Sequence, residues 1–270
     1  MNMRHLLPLL LLLLASLAAC SREGSAPEPV QAPTEATAPQ APAEPAQPQV
    51  GGDETVPAEE AASDTTAPAA PAPAAPTGPA PVAGVDYKVI EGGQPFQPVA
   101  GKIEVAEVFG YTCPHCASFD PVLESWRARQ PADVSVALVP GAFGGYWTPY
   151  ARAFFTAEAL GVLPKTHAAT FRAIHVERSL PVNANVGASD LAPFYAKHGV
   201  DAKRFTDTFN SFGIDAKVNR ARQFASRSKV DGTPALVVAG KYTINVDQQG
   251  FEKMLATADW LVAQERAGAR

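Results

Sequence analysis

Two of the three cysteines in this chain of 270 residues lie three positions apart, at Cys113 and Cys116. The segment before them, Ile103 to Phe109, is rich in branched apolar residues and predicts a buried strand. Pro114 follows Cys113 directly, and proline is favoured at the first position of a helix because no amide hydrogen is needed there. The sequence therefore predicts that the cysteine pair lies where a strand gives way to a helix.

The spacing of the pair suits reversible redox chemistry. An offset of three on a helix puts both sulfurs on one face, with α-carbons about 5 to 6 Å apart, which a disulfide can bridge. Cys113 would lie at the positive end of the helix, where free amide groups favour the thiolate. Because a thiolate of low pKa is a good leaving group, a disulfide containing Cys113 is easily reduced, and the oxidised pair is a donor of disulfides. His115 would add to this effect if its ring lay near the sulfur.

Two other uses of such a pair suit the sequence less well. A zinc site needs four ligands, and the histidines of the helical stretches lack the spacing that would complete one. These histidines are His167, His175 and His198, and we expect them at surface or core positions. A structural disulfide across one helical turn would close a very short loop and add little stability. We therefore expect a redox pair, with neither a metal nor a cofactor.

Residues 1–19 have the pattern of an export signal, in which Arg4 and His5 precede an apolar run that is too short to span a membrane. They lead into Leu17-Ala18-Ala19-Cys20, which resembles the lipobox of bacterial lipoproteins, where the signal is cut before the cysteine and the sulfur receives a lipid. Ordinary cleavage after Ala18 is the alternative. Lipidation of Cys20 is favoured because an unmodified Cys20 would be a lone exposed thiol in an oxidising compartment.

Residues 20–84 form a second segment, in which alanine, proline, glutamate and glutamine dominate. Such a composition cannot build a core, so we predict a disordered tether that begins at Cys20. The net charge of the chain is −5, and the acidic surplus falls in the tether. The rest of the chain has no strong basic surplus, and we expect no nucleic-acid partner.

Residues 85–270 suit one domain, or one domain with an insertion. Strands are predicted at three early positions and in a late hairpin: Tyr87–Ile90, Ile103–Phe109, Val134–Pro140, Ala235–Gly240 and Lys241–Ile244. Helical stretches fill the interval before the hairpin: Pro149–Leu160, Pro164–Glu177, Asp190–Lys197, Ala202–Phe212 and Ala216–Arg227, with breaks at Gly161, Gly187, Gly199 and Gly213. An amphipathic helix from Phe251 closes the chain. This order predicts an α/β fold whose small mixed sheet carries a helical insertion at about 145–230.

Three parts of the chain together resemble the DsbA family of bacterial thiol:disulfide interchange proteins: Glu107 to Cys116, the helical block, and DGTPALVVAGKY from Asp231 to Tyr242. The resemblance covers nearly all of residues 85–270 and implies a thioredoxin-like fold with an inserted helical domain. It implies that Cys113 is the attacking and attacked sulfur of the Cys-Pro-His-Cys tetrapeptide, and that Cys116 is the buried resolving sulfur. It also implies that Thr233-Pro234 is the loop whose cis proline faces the pair and meets the substrate.

Glu107 shares the strand face of Val105 and Phe109, so we expect it to be buried beneath the motif, with Glu104 on the opposite side. A buried carboxyl resists ionisation and can relay the proton that Cys116 must lose. An exposed acid at the end of the strand is the alternative.

The resemblance implies a periplasmic oxidoreductase that donates disulfides to unfolded or reduced exported proteins. A quinone-linked reoxidant of the DsbB type in the inner membrane would restore its disulfide. Thr233 before the proline is typical of isomerases and reductases, so these activities are the alternative; a substrate-binding adaptor with a vestigial cysteine pair is the alternative from another class. An isomerase usually has a separate dimerisation domain, which the tether does not supply, so we expect a monomeric oxidase.

The membrane that would hold the anchor is indicated by the residue after Cys20. By resemblance to the enterobacterial sorting rule, Ser21 at this position suggests the outer membrane. We therefore expect a periplasmic protein that is lipid-anchored, in the outer rather than the inner membrane.

The glycine-rich segment after Val134–Pro140 carries the aromatic residues Phe143, Tyr146 and Trp147. They either line an apolar groove beside the cysteine pair, where unfolded chains or the reoxidant would dock, or pack between the sheet and the insertion. The sequence leaves both roles open.

Overall fold

The structure is a computed structural model, and it describes residues 79–268. The expected signal peptide at 1–19, Cys20 and the expected tether up to residue 78 lie outside the described residues. Within residues 79–268 no helix combines the length and the apolar character that crossing a membrane requires.

A five-stranded mixed sheet forms the centre of the described part, in the order β1-β5-β4-β2-β3. Its strands are β1 Lys88–Val89, β2 Ile103–Phe109, β3 Val134–Pro140, β4 Ala235–Val238 and β5 Tyr242–Asn245. β2 pairs in parallel with β3 and antiparallel with β4, so it lies inside the sheet. Its side chains are covered on both faces, so apolar residues dominate the strand, and its two acids, Glu104 and Glu107, are buried as well. The predicted edge strand and late hairpin are confirmed.

Seven helices are present in residues 79–268: α1 Pro114–Arg127, α2 Trp147–Ala159, α3 Leu163–His175, α4 Ala188–Ala196, α5 Ala202–Phe209, α6 Phe212–Arg227 and α7 Gly250–Gly268. Helices α2 to α6 follow β3 and precede β4, so the predicted α/β fold with a helical insertion is confirmed.

The predicted helix break at Gly213 is wrong, because α6 already includes Gly213 in its first turn. The chain turns instead at Asn210–Ser211. Ser211 Oγ caps the new helix by accepting a hydrogen bond from the amide of Ile214 at 3.4 Å. At Gly161 and Gly199 the predicted breaks are confirmed, and both have left-handed φ values, of +72° and +89°, which suit glycine at the end of a helix.

Two apolar clusters enclose the sheet. One joins it to the insertion and includes Val108, Phe154 and Phe171. The other joins it to α1 and α7 and includes Val105 and Leu123. Since β2 contributes to both clusters, the end of β2, from which the cysteine motif leaves, is held from both sides.

Candidate active site

The cysteine pair lies at the junction of β2 and α1, as predicted. Cys113 is the N-cap residue of α1, with an extended backbone at φ −90° and ψ 118°, and Pro114 begins the helix. The Sγ atom of Cys113 accepts a hydrogen bond from the amide of Cys116 at 3.4 Å. This sulfur therefore occupies the place of a capping oxygen, where free amides of the first turn point toward it.

The two sulfurs have unequal surroundings. Both cysteines are free, and Cys113 is 7% exposed whereas Cys116 is fully buried. The residues between them, Pro114 and His115, are exposed. Cys113 is thus the sulfur that an incoming thiol meets first. Among residues 79–268 no group of three or more His, Cys, Asp or Glu side chains could hold a metal ion.

These surroundings separate the pKa values of the two thiols. The pKa of Cys113 is lowered to about 5, mainly by a hydrogen bond from the Cys116 thiol. Burial opposes this lowering, whereas Thr233 and the amides of Cys116 and His115 contribute to it. Burial raises the pKa of Cys116 above the usual range of a thiol, and the negative charge of Cys113 adds to this effect. At neutral pH Cys113 is therefore a thiolate and Cys116 a thiol.

The Thr233-Pro234 segment comes to the pair from the start of β4. Its peptide bond is cis, and the carbonyl oxygen of Thr233 lies 3.5 Å from Cys113 Sγ. Pro234 is buried and Thr233 is partly exposed. The fold thus unites two segments that are 120 residues apart in the chain.

Glu107 is buried, as its position on the strand predicts, with 2% of its surface exposed. Its neighbours in the sheet are Leu138 on β3 and Leu236 on β4. Burial raises the pKa of its carboxyl well above the usual range, and the charges of Asp120 and Cys113 add to the rise. Burial therefore favours the neutral form of this carboxyl, which lies close to the cysteine pair; its part in proton transfer remains a prediction.

Comparison with known proteins decides the family. The profile of the DSBA-like thioredoxin domain matches residues 139–256. The thiol:disulfide interchange protein DsbA of Pseudomonas aeruginosa is 39% identical over 190 residues, which cover 70% of this chain and 87% of that protein. The DsbA protein of Azotobacter vinelandii is 40% identical over 173 residues, which cover 63% of this chain and 79% of that protein. The chain belongs to the DsbA family. It is a thiol:disulfide oxidoreductase, and the family places it in the periplasm.

Solved DsbA structures have the same fold. The oxidoreductase DsbA of Xylella fastidiosa has a TM-score of 0.66 and 49% identity, over 69% of this chain and 98% of that chain. DsbA of Pseudomonas aeruginosa has a TM-score of 0.64 and 39% identity, over 70% of this chain and 96% of that chain. The DsbA fold, a thioredoxin-like sheet with a helical insertion, is thus the fold of this chain, as the resemblance implied.

A further buried acid, Glu104, lies near the start of β2. Glu104 lies on the face of β2 opposite Glu107 and is 2% exposed; its carboxylate accepts hydrogen bonds from the amides of Phe96 and Gln97. Burial raises the pKa of the Glu104 carboxyl, although these two amides oppose the rise. Sequence reasoning gave this residue no partner, because backbone amides in an irregular segment leave no pattern in the sequence.

The loop before Cys113 is held by two histidines of the insertion. The hydroxyl of Tyr111 lies 2.8 Å from Nδ1 of His167, and Nε2 of His175 lies 2.7 Å from the carbonyl oxygen of Tyr111. Sequence reasoning treated both as surface or core positions. The signal that could have singled them out is their spacing, since residues 167, 171 and 175 lie four apart and share one face of α3.

The aromatic segment of this DsbA chain divides between the two roles that the sequence left open. Phe143 and Tyr146 are 46% and 43% exposed. Trp147 packs directly against Gly110, because a Cβ placed at that glycine would overlap the indole ring. Trp147 thus packs between the insertion and the end of β2, while Phe143 and Tyr146 present apolar surface.

Proposed function

We propose that Cys113 and Cys116 form the redox couple of an oxidase that donates disulfides to exported proteins. The observation that carries the proposal is the difference in pKa between the two thiols. A thiolate at Cys113 stabilises the reduced pair, so the disulfide form is a strong oxidant. A vestigial pair in a binding adaptor would have no need of a Cys113 thiol whose pKa lies so far below the ordinary value.

The transfer takes place in two steps. A client thiolate attacks Sγ of Cys113, the bond between Cys113 and Cys116 breaks, and the Cys116 sulfur leaves with the electron pair and takes up a proton. A second client thiolate then attacks the client sulfur of the mixed disulfide, and Cys113 leaves as a thiolate. The client has lost two electrons and gained a disulfide, and the cysteine pair has been reduced.

The neighbouring residues support these steps. Glu107, whose neutral form is favoured by its burial, gives the proton to the Cys116 sulfur. Pro114 begins the helix whose amides stabilise the Cys113 thiolate, and His115 contributes through its amide. Thr233 presents its carbonyl oxygen beside Cys113, and Pro234 fixes the loop, so a client strand can align its backbone there.

An isomerase or a reductase is the second candidate, and Thr233 is the residue that favours it. The position of Thr233 beside Cys113 is compatible with any of the three activities. The low pKa of Cys113 favours the oxidase, because it stabilises the reduced pair.

The proposed oxidase acts as a monomer in the periplasm and is tied to the outer membrane by a lipid on Cys20. The lipobox resemblance at Leu17 to Cys20 and Ser21 support this assignment. Its partners are unfolded or reduced exported proteins and a DsbB-type, quinone-linked reoxidant in the inner membrane. Residues 21–84 would be the tether between anchor and domain.

Replacement of each cysteine tests the proposal. We predict that Cys116→Ser, incubated with a disulfide-bonded peptide, accumulates a mixed disulfide through Cys113, because the resolving sulfur that releases the peptide is missing. Cys113→Ser, the matched control, should trap none, since the remaining sulfur is fully buried. Non-reducing electrophoresis and mass spectrometry measure the adduct. Equal trapping by the two variants would contradict the assignment of roles.

A further inference from the structure

A cavity of about 480 Å³ lies between β3, α1 and the insertion. Polar side chains from several elements line it: Gln97, Asp120, Glu124, Arg127, Glu158 and His167. Glu124 and Arg127 are exposed, so the cavity opens to solvent on the side of α1.

The inner wall of the cavity adjoins the buried acid beneath the cysteine pair. Leu138 lines the cavity and is the register partner of Glu107 on the neighbouring parallel strand, so the two side chains point to the same face of the sheet. Asp120 and Glu124 also line the cavity, and both lie near enough to Glu107 for their charges to raise the pKa of its carboxyl. Glu107 does not itself line the cavity, but its neighbours Leu138, Asp120 and Glu124 do.

His167 faces this cavity from α3 and is 9% exposed. Its Nε2 atom lies 3.1 Å from Oδ1 of Asp120, at the distance of an ion pair but not at the angle of a hydrogen bond. Burial raises the pKa of Tyr111, so its hydroxyl remains protonated, and we assign it as the donor to Nδ1. In the neutral ring the proton is then on Nε2, which points toward Asp120.

The contacts of the His167 ring with Phe109, Phe154 and Phe171 do not by themselves require a histidine. The hydroxyl of Tyr111 requires a hydrogen-bond acceptor here, which Nδ1 supplies, but it does not account for Nε2. No described residue forms a hydrogen bond with Nε2, and a buried polar atom without such a partner is destabilising, so its presence calls for an explanation. The charged and titratable groups that face His167 are Asp120 on α1, the pair of Glu124 and Arg127 on α1, Glu158 on α2, which pairs with Lys217, and Tyr111 before α1. Asp120 is the acid of this set that no described lysine or arginine balances, and it lies next to His167.

We propose that His167 and Asp120 relay a proton between Glu107 and solvent through this cavity. The inference rests on the proposed function, in which Glu107 gives a proton to the Cys116 sulfur when the disulfide is reduced. Glu107 is then a buried anion beside the acidic side chain of Asp120. A proton from solvent binds His167, passes to Asp120 and restores the Glu107 acid; reoxidation of the pair returns a proton along the same path. His167 acts through Asp120 and Glu107, and is thus a positioning residue for the reaction.

The first test replaces the ring. His167→Gln keeps a polar partner for Tyr111 but cannot carry a proton, and His198→Gln is the control, because His198 follows α4, packs on Phe194 and does not line the cavity. Stopped-flow reduction of the oxidised protein by a dithiol peptide is measured across pH, in H₂O and in D₂O. We expect His167→Gln to be roughly ten-fold slower or more near neutral pH, with a larger solvent isotope effect, and His198→Gln to match the parent. An unchanged rate and pH profile in His167→Gln would overturn the relay.

The second test restores the proton carrier. Imidazole is added to His167→Ala, whose shortened side chain enlarges the cavity, and we expect imidazoles of different pKa to restore the rate to different extents. A rate that is equally slow at every pH and insensitive to imidazole assigns His167 a structural role and overturns the relay. Where His167→Ala does not fold, His167→Gln with its isotope effect decides the matter.

The rate measured for the parent protein distinguishes a failure of the relay from a failure of the proposed function. A parent that does not oxidise the peptide contradicts the proposed function, and the relay with it. A parent that oxidises the peptide at the same rate as His167→Gln overturns the relay alone. The alkylation profile of Cys113 is expected to be the same in the parent and in His167→Gln.

Discussion

Cys113 and Cys116 are one helical turn apart, yet their thiols differ widely in pKa. Cys113 caps α1 and receives hydrogen bonds from the Cys116 thiol and from amides of the first turn, which lower its pKa to about 5. Cys116 lies one turn deeper and is fully buried, so burial raises its pKa. The tetrapeptide therefore supplies a leaving group and a protected resolving thiol from one short segment.

The low pKa of Cys113 predicts how the stability of the reduced protein depends on pH. In the unfolded chain this thiol titrates near about 8.5, whereas in the folded protein its pKa is about 5. Between these values the unfolded state binds the extra proton, so the free energy of unfolding of the reduced form, relative to the oxidised form, rises with pH. The stabilisation that the Cys113 thiolate gives to the reduced form should be lost progressively as the pH falls from about 8.5 through about 5.

Urea unfolding of the oxidised and reduced forms across this range measures the difference. Cys113→Ser cannot form the disulfide, and its free energy of unfolding should lack the rise with pH that the reduced parent shows, because the titrating group is gone. A difference between the two forms that stays constant with pH, or that grows toward acid, would show that Cys113 is not an activated thiolate.

The positions of the motif residues in the fold could be predicted because each depends on its neighbours in the sequence. Cys113, Pro114 and Cys116 follow from spacing, and the burial of Glu107 follows from strand alternation. The role of His167 could not be predicted, because its partner Tyr111 lies 56 residues away and only the packing of α3 brings them together.

The elements follow the sequence where their patterns are continuous. β2 and β3 have the predicted bounds, since branched apolar residues dominate each run. Helix α6 begins at Phe212 rather than at the predicted Ala216, because Ser211 caps the helix and a glycine in the first turn is tolerated. The predicted α2 starts two residues late, at Pro149, whereas the observed helix starts at Trp147.

The contact between Gly110 and Trp147 joins β2 to α2 and can be tested by substitution. Because a Cβ at Gly110 would overlap the indole ring, we predict that Gly110→Ala lowers the free energy of unfolding by about 1 to 3 kcal/mol. Trp147→Ala makes room for the added methyl group, so the double variant should be less destabilised than the sum of the two single changes. Urea unfolding measures each value.

Gly213→Ala is the matched control, since it lies in the first turn of α6 and an added Cβ would meet no atom closer than 3.9 Å. It should leave stability unchanged or raise it slightly. Additive effects at Gly110 and Trp147 would mean that the glycine is not required by the indole ring.

For the whole molecule, the proposed anchor and tether determine where the domain can act. As a flexible coil, residues 21–84 would have a root-mean-square span of roughly 45 Å, and up to about 200 Å as polyproline. If Cys20 is lipidated in the outer membrane, the tether must let the domain reach a reoxidant in the inner membrane. We predict that linker deletions leave the activity of the purified protein intact while Cys113 and Cys116 accumulate in the reduced form in cells.

Alkylation with a mass tag reports the redox state in cells for a series of deletions, and Cys20→Ala is the control that releases the domain from the anchor. Reduced protein should increase as the linker shortens and should return to the oxidised form in Cys20→Ala. A steady oxidised state throughout the series would contradict a role for the length of the tether.

The order of the elements predicted the fold of the described part of the chain, because a strand, a motif helix, a second strand, a helical block and a hairpin suit a small mixed sheet with an insertion. The cavity between the insertion and the sheet could not be predicted. It depends on how α3 packs against α1 and β3, and no sequence pattern records that packing.

The redox equilibrium of the purified protein with glutathione tests the central claim most directly. The protein is incubated in buffers of increasing ratio of reduced to oxidised glutathione, and the reduced fraction of Cys113 and Cys116 is measured by alkylation and mass spectrometry. Because the Cys113 thiolate stabilises the reduced pair, we predict that the protein is already reduced in buffers in which most of the glutathione is oxidised. A pair that stays oxidised until reduced glutathione is in large excess would be a reductant, and would contradict the account.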